Sequence, residues 1–199
     1  MKAIVLKINI LLVAIVFGFT ANAQGLSVKP GDVLTYHVKT PTAEYDFIVT
    51  LKTWRPNLSF DWAMTGAVNQ KGATSFNNAD ASDAMAISNF FNAGAVTLKG
   101  QTSVWVSASV FKLLASKVTA NITIDNAAIP EPFVNCATES FTVDVNGTKN
   151  KFDNIVARNN AACTKAAGAK EIRILNNAQN PLIVYMDMGW TIELISVKQ

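Results

Sequence analysis

The sequence predicts a mainly β protein: an antiparallel curved sheet or open β-barrel (a β-roll) with one or two short helices in the middle of the chain. Three observations carry that reading. Apolar and polar residues alternate with a period of two near both ends of the chain. The alternation stops in the stretch from residue 78 to residue 116, and an Asn-Gly pair at Asn146-Gly147 follows an alternating strand. Period two marks strands with one buried face, and Asn-Gly supplies the two positive-φ residues that a tight hairpin turn needs.

The first three strands are read from "GDVLTYHVK", "EYDFIVTLKT" and "LSFDWAM". Leu34, Tyr36 and Val38 share one face of the first, with Thr35, His37 and Lys39 on the other. Tyr45, Phe47, Val49 and Leu51 make the apolar face of the second; Leu58, Phe60, Trp62 and Met64 make that of the third. "KTPTA" and "WRPN" supply turns, with Pro41 and Pro56 placed where no ladder donor is required. Together they predict an antiparallel meander with one apolar face.

"NNADASDAMAISNFF" predicts a helix, with Asn78 or Asp80 as N-cap and Ala84, Ile87 and Phe91 at helical spacing. "SVWVSASVFKLLAS" reads as a strand through Val104 and Val106 running into a short helix capped by Ser107 or Ser109, and "ANITID" as a further strand. The last third returns to β through "ESFTVDVNGTKNKFDNIVA", "KEIRIL", "NPLIVYM" and "WTIELISV". "NPLIVYM" is apolar on both faces, as expected of a strand covered on both sides.

The amino terminus, "MKAIVLKINILLVAIVFGFTANAQ", reads as a secretory signal peptide. Lys2 and Lys7 precede an apolar run over residues 8–19, and Ala21 and Ala23 occupy the small positions before a cut at Gln24. The apolar run is shorter than the roughly 20 residues of a membrane span. The expected organisation is a signal peptide over residues 1–23 and a single β-rich domain over residues 24–199. No cysteine follows the cut directly, so lipid anchoring there is not expected, nor is a later transmembrane segment. Of the 17 Lys and Arg, two leave with the leader, so the exported chain nearly balances its 14 Asp and Glu. No basic run remains to serve a nucleic acid.

Cys136 and Cys163 are the two cysteines. In an exported protein an even pair is expected to form a disulfide, and without nearby histidines the two do not make a conventional zinc site. His37 is the only histidine. Hairpin parity pairs it with Asp46, or with Glu44 if the register slips by two, on the polar face of the first hairpin. There a His–carboxylate pair contributes only tenths of a kcal/mol and reads as solvated surface. The chain has no G-x-S-x-G elbow, glycine-rich phosphate loop or H-E-x-x-H. Catalytic, metal and cofactor-binding residues are therefore none. Trp54 falls in a turn, where an indole either stacks on a ligand or folds back over the sheet edge.

"TVDVNGTKNKFDNIVA" and "ILNNAQNPLIVYMDMGWTIELISV" resemble segments of a β-roll family of unknown function among secreted Bacteroidetes proteins. The shared pattern is an apolar strand, a glycine turn and a phenylalanine opening the next strand, then "NPLI" before the closing strands. Asn146 stands where that family commonly has alanine. The resemblance implies a β-roll and carries over no catalytic residue.

The leading functional expectation is a non-enzymatic exported cell-envelope protein, periplasmic or at the outer surface. It would bind a lipid or other apolar ligand, or an envelope protein partner, in the concavity of its sheet, with Phe47, Phe60 and Trp62 as lining residues. The alternatives are a structural or interaction protein whose concavity is filled by its own side chains, and a carboxylate-based hydrolase.

Overall fold

In the computed structural model, which describes residues 25–66 and 68–199, the three alternating segments are strands β1 (Val33–Lys39), β2 (Glu44–Thr53) and β3 (Leu58–Gly66). The leader expected at residues 1–23 lies outside the described residues. Leu34, Tyr36 and Val38 are buried on the inner face of β1, as are Phe47, Val49 and Leu51 on β2. The meander continues into β4 (Gln70–Phe76), antiparallel to β3. This strand, "QKGATSF", lacks the apolar alternation that would reveal it in sequence.

The middle of the chain holds α1 (Asn78–Asp83), β5 (Ala86–Ile87), β6 (Gly94–Thr97) and α2 (Ala108–Ala115). Here two expectations are corrected. The first helix does not reach Ala84, Ile87 and Phe91, and its N-cap is Asn77, whose side chain accepts from the Asp80 amide at 2.8 Å. A six-residue helix that buries none of its residues has little to propagate it. Beyond it, Ile87 gains more by pairing with Ile124 in the sheet. The strand expected through Val104 and Val106 is a single bridge between Trp105 and Leu182. Trp105 holds that segment inside the fold, donating from Nε1 to Asn180 Oδ1 at 2.8 Å and packing on Trp54 and Phe60. The helix after it is capped by Ser107, which accepts from the Val110 amide.

The remaining strands are β7 (Ala120–Ile124), β8 (Glu131–Val145), β9 (Thr148–Arg158), β10 (Glu171–Leu175), β11 (Ile183–Asp187) and β12 (Thr191–Lys198). Asn146 (φ 53°) and Gly147 (φ 83°) form the β8–β9 turn, both in the left-handed region that a type I′ turn requires. All twelve strands join one mixed, mostly antiparallel sheet in the order β5-β7-β8-β9-β10-β11-β12-β1-β2-β3-β4-β6. The far end of β12 also pairs with β8, Ser196 beside Asp144 and Val197 beside Val145, so five strands curl into a ring from which β1–β4 extend as a wing. The fold is the mainly β curved sheet with two short helices.

Two cores fill the concave side. One lies under the wing, built on Leu34, Tyr36, Phe47, Phe60 and Trp105; α2 covers the other, with Val110 and Leu114 against Ile122, Phe133 and Ile172. Cys136 falls at a bulge in β8, between Asn135 and Ala137, and forms a disulfide with Cys163 in the β9–β10 connection, Cα–Cα 5.4 Å. A bulge turns one side chain out of the regular alternation, which aims Cys136 at that loop. No helix among the described residues is long and apolar enough to cross a membrane.

Candidate ligand-binding cleft

After β5 the chain has no regular structure over residues 88–93 and crosses the mouth of the wing. Its Phe91 turns inward, with ring centroid 4.4 Å from Phe47 and 5.4 Å from Trp62. Phe90 next to it stays 59 % exposed. Between this segment and the ends of β1, β2 and β3 lies an open cleft of about 190 Å³, walled by Tyr45, Phe47, Met64, Phe91, Trp190 and Ile192. Behind Phe47 and Phe91 a smaller hollow of about 20 Å³ is closed by Tyr36, Val104, Ile183 and Met186.

The rim is polar at one corner. Ile124, Asp125, Asn126 and Ala127 form a turn closed by the Ala127 amide on the Ile124 carbonyl at 3.0 Å, with both central residues at positive φ. That conformation is readily adopted by Asp and Asn. It carries Asp125 over the crossing segment, where its carboxylate accepts from the Asn89 backbone amide and from Asn89 Nδ2.

The inner phenols stay protonated near neutrality. Burial holds the Tyr36 pKa far above the ordinary phenol range, and its hydroxyl donates to the Ile183 carbonyl at 3.0 Å. Burial also raises Tyr45. Val104 sits at φ 65°, a left-handed conformation that β-branched residues rarely adopt; its carbonyl accepts from the Ile183 amide at 2.8 Å.

Of the residues expected to line the concavity, Phe47 lies on both sides of this division. Trp62 is 3 % exposed and backs Phe91, while Phe60 is fully buried against Trp105, away from the cleft. Trp54 is folded onto Trp105, centroids 5.5 Å apart, and is half-buried. Sequence reasoning missed Asn89, Phe90, Asp125 and Trp190, and it placed Phe91 on a helix. None of these carries a motif, because the cleft joins five separate parts of the chain.

On the outer face His37 stands opposite Asp46, Nδ1 to Oδ1 3.2 Å, with Glu44 at 3.9 Å. Glu193 of β12 is its other cross-strand neighbour. The ring is 44 % exposed and lies in no cleft that could hold a substrate. Further along the same face Glu171, 4 % exposed, accepts from Arg173 Nε at 2.6 Å and Arg158 Nε at 2.7 Å. Burial works to raise its pKa, but the hydrogen bonds and charges of Arg173 and Arg158 outweigh it and hold the carboxyl below the usual range. Arg158 also donates to the Cys163 carbonyl, joining this cluster to the disulfide loop. Among the described residues no group of three or more His, Cys, Asp or Glu side chains is placed to hold a metal ion.

No protein-family model, curated protein or solved structure matches the chain.

Proposed function

We propose that this is a non-enzymatic, exported cell-envelope protein that binds an apolar small molecule in the cleft beneath Phe90 and Trp190. The observation that carries the reading is an open cavity of about 190 Å³ with aromatic walls at the mouth of the sheet, whereas the pocket beside Trp54 and Trp105 and the hollow behind Phe91 measure only about 40 Å³ and 20 Å³. Its size sets the scale of the ligand. A protein cavity of about 150 Å³ takes up one benzene ring, and drug-sized ligands need about 300–1,000 Å³. A cleft of about 190 Å³ therefore holds one ring or one short length of chain, not a lipid with two full acyl chains. Export is supported by the leader-like amino terminus and by the Cys136–Cys163 disulfide.

The second reading, a structural protein with a filled concavity, draws on Phe60 and Trp62, which are themselves buried in the wing interior. The hydrolase reading has weaker support, since Arg173 and Arg158 hold the buried Glu171 below the usual carboxylate range, the opposite of the raised pKa that a general acid needs. Native mass spectrometry of protein purified from its producing cell, together with titration of a single-ring, environment-sensitive aminobenzonitrile dye, separates the first two. A copurifying apolar molecule, or saturable dye binding lost in Trp190→Ala, supports the ligand-binding reading. Absence of both returns the protein to the structural class.

A further inference from the structure

The cleft and the small hollow behind it share Phe47, Asn89, Phe91 and Ile192. The wall between them is thus mainly two phenyl rings. One, Phe47, is 1 % exposed on β2 and fixed on both sides by ladder pairing. The other, Phe91, is only partly buried and hangs from a segment without regular structure. The floor includes Val104, whose carbonyl accepts from the Ile183 amide and ties it to β11. Phe91 is accordingly the less constrained of the two rings, and the hollow behind it has room for no more than about one water-sized group.

The charge at the mouth is equally specific. Of the residues lining the cleft, Asp125 alone is charged. Thr40 and Asn89 are the neutral polar groups beside it. Lys39 and Glu44, neighbours in the chain of the cleft residues Val38, Thr40 and Tyr45, project to the outer face and pair with each other at 2.7 Å. Asp125 uses its two oxygens on Asn89 but keeps further acceptor capacity, since each carboxylate oxygen accepts more than one hydrogen bond.

Resting on the ligand-binding reading above, we propose that the ligand is a single-chain amphiphile whose short tail lies in the cleft against Phe47 and Phe91 and whose head, at Asp125, is cationic or a neutral hydrogen-bond donor. An anionic head meets a like charge there with no cation among the cleft residues to offset it. A short single chain fits a cleft of about 190 Å³, whereas a fused ring system is larger than the one ring that such a volume takes up.

The test displaces the single-ring dye with three amphiphiles that share one saturated tail and carry a trimethylammonium, a sugar or a sulfate head, each kept below its micelle concentration. The trimethylammonium and sugar compounds are expected to bind about tenfold more tightly than the sulfate, the equivalent of about 1.4 kcal/mol. Asp125→Asn, which tolerates the same turn conformation, should bring all three within about threefold of one another. Phe91→Trp should weaken all three, and Phe91→Ala should tighten them, with folding of each variant checked by circular dichroism. Equal binding of the three heads to the native protein, or preference for the sulfate, overturns the head-group assignment and leaves the ligand-binding reading standing. Failure of every tail to displace the dye overturns both.

Discussion

Single charged residues on the outer face of the sheet differ sharply in what they hold. His37 and Asp46 sit side by side but are nearly half exposed, so solvent screens them and their pairing contributes little. Glu171 is almost fully buried between Arg158 and Arg173, and removing one partner of such a cluster leaves charge without compensation. Glu171→Gln is expected to cost about 3 kcal/mol in chemical denaturation, in line with other broken buried pairs. The pH dependence has a definite sign. The folded-state pKa of Glu171 lies below its unfolded value, so its stabilisation is complete above the unfolded pKa and disappears as pH falls through the folded one. Denaturation midpoints measured from neutrality into the acid range should therefore fall more steeply for the native protein than for Glu171→Gln. Parallel curves would show that the arginines do not stabilise the ionised form. The His37 pairing was legible from hairpin parity alone, whereas the Glu171 cluster was not, since its arginines come from two strands and a loop hangs on one of them.

At the level of elements, the least obvious strand is β6, which pairs parallel to β4 with Gly94 to Thr97 beside Gly72 to Ser75. Gly72 makes the approach possible. A Cβ there would lie 2.4 Å from the Gly94 carbonyl oxygen and 2.6 Å from the Trp62 indole. Neither neighbour can yield, one being backbone and the other a ring buried in the core. Gly72→Ala should destabilise the protein by about 2–3 kcal/mol, as overpacking does elsewhere. It should also speed hydrogen exchange at Leu98, whose amide donates to the Ser75 carbonyl at 2.8 Å. A change under about 0.5 kcal/mol with unaltered exchange would mean that β6 does not seat on β4. In sequence this glycine resembles any other residue of a polar, turn-like stretch. The strands around it are another matter: β1, β2 and β3 follow directly from alternation, and the β8–β9 hairpin from Asn146-Gly147.

Across the whole molecule, stability depends on long-range closures. Gln199 reaches back to Ser27, β12 lies beside β1, and the far end of β12 returns to β8. The disulfide is the covalent member of this set, joining residues 27 apart in sequence. Loop-closure entropy for a ring of that size corresponds to about 3–4 kcal/mol. Cys136→Ser with Cys163→Ser should lower stability by about that amount in denaturant, and the native protein should gain no mass on alkylation without reductant. Two alkylated thiols, or an unchanged midpoint in the double variant, would remove the disulfide from this account.

The sequence by itself determined what is local. Period-two patterning set which residues form most strands and which face each presents, a turn pair set one hairpin, and a capping serine, Ser107 or Ser109, set the start of α2 to within two residues, because each is decided by neighbours a few residues away. Tertiary structure alone decided the rest: that the first helix stops at Asp83, that Trp105 plugs the core without joining a strand, and that β12 pairs with both β1 and β8. The cleft belongs to this second group. Its walls come from Tyr45 and Phe47, Met64, Phe91, Asp125 and Trp190, which meet only after the sheet has curled. Closing such distant contacts depends on how the whole apolar surface is buried, and no short stretch of sequence carries that information.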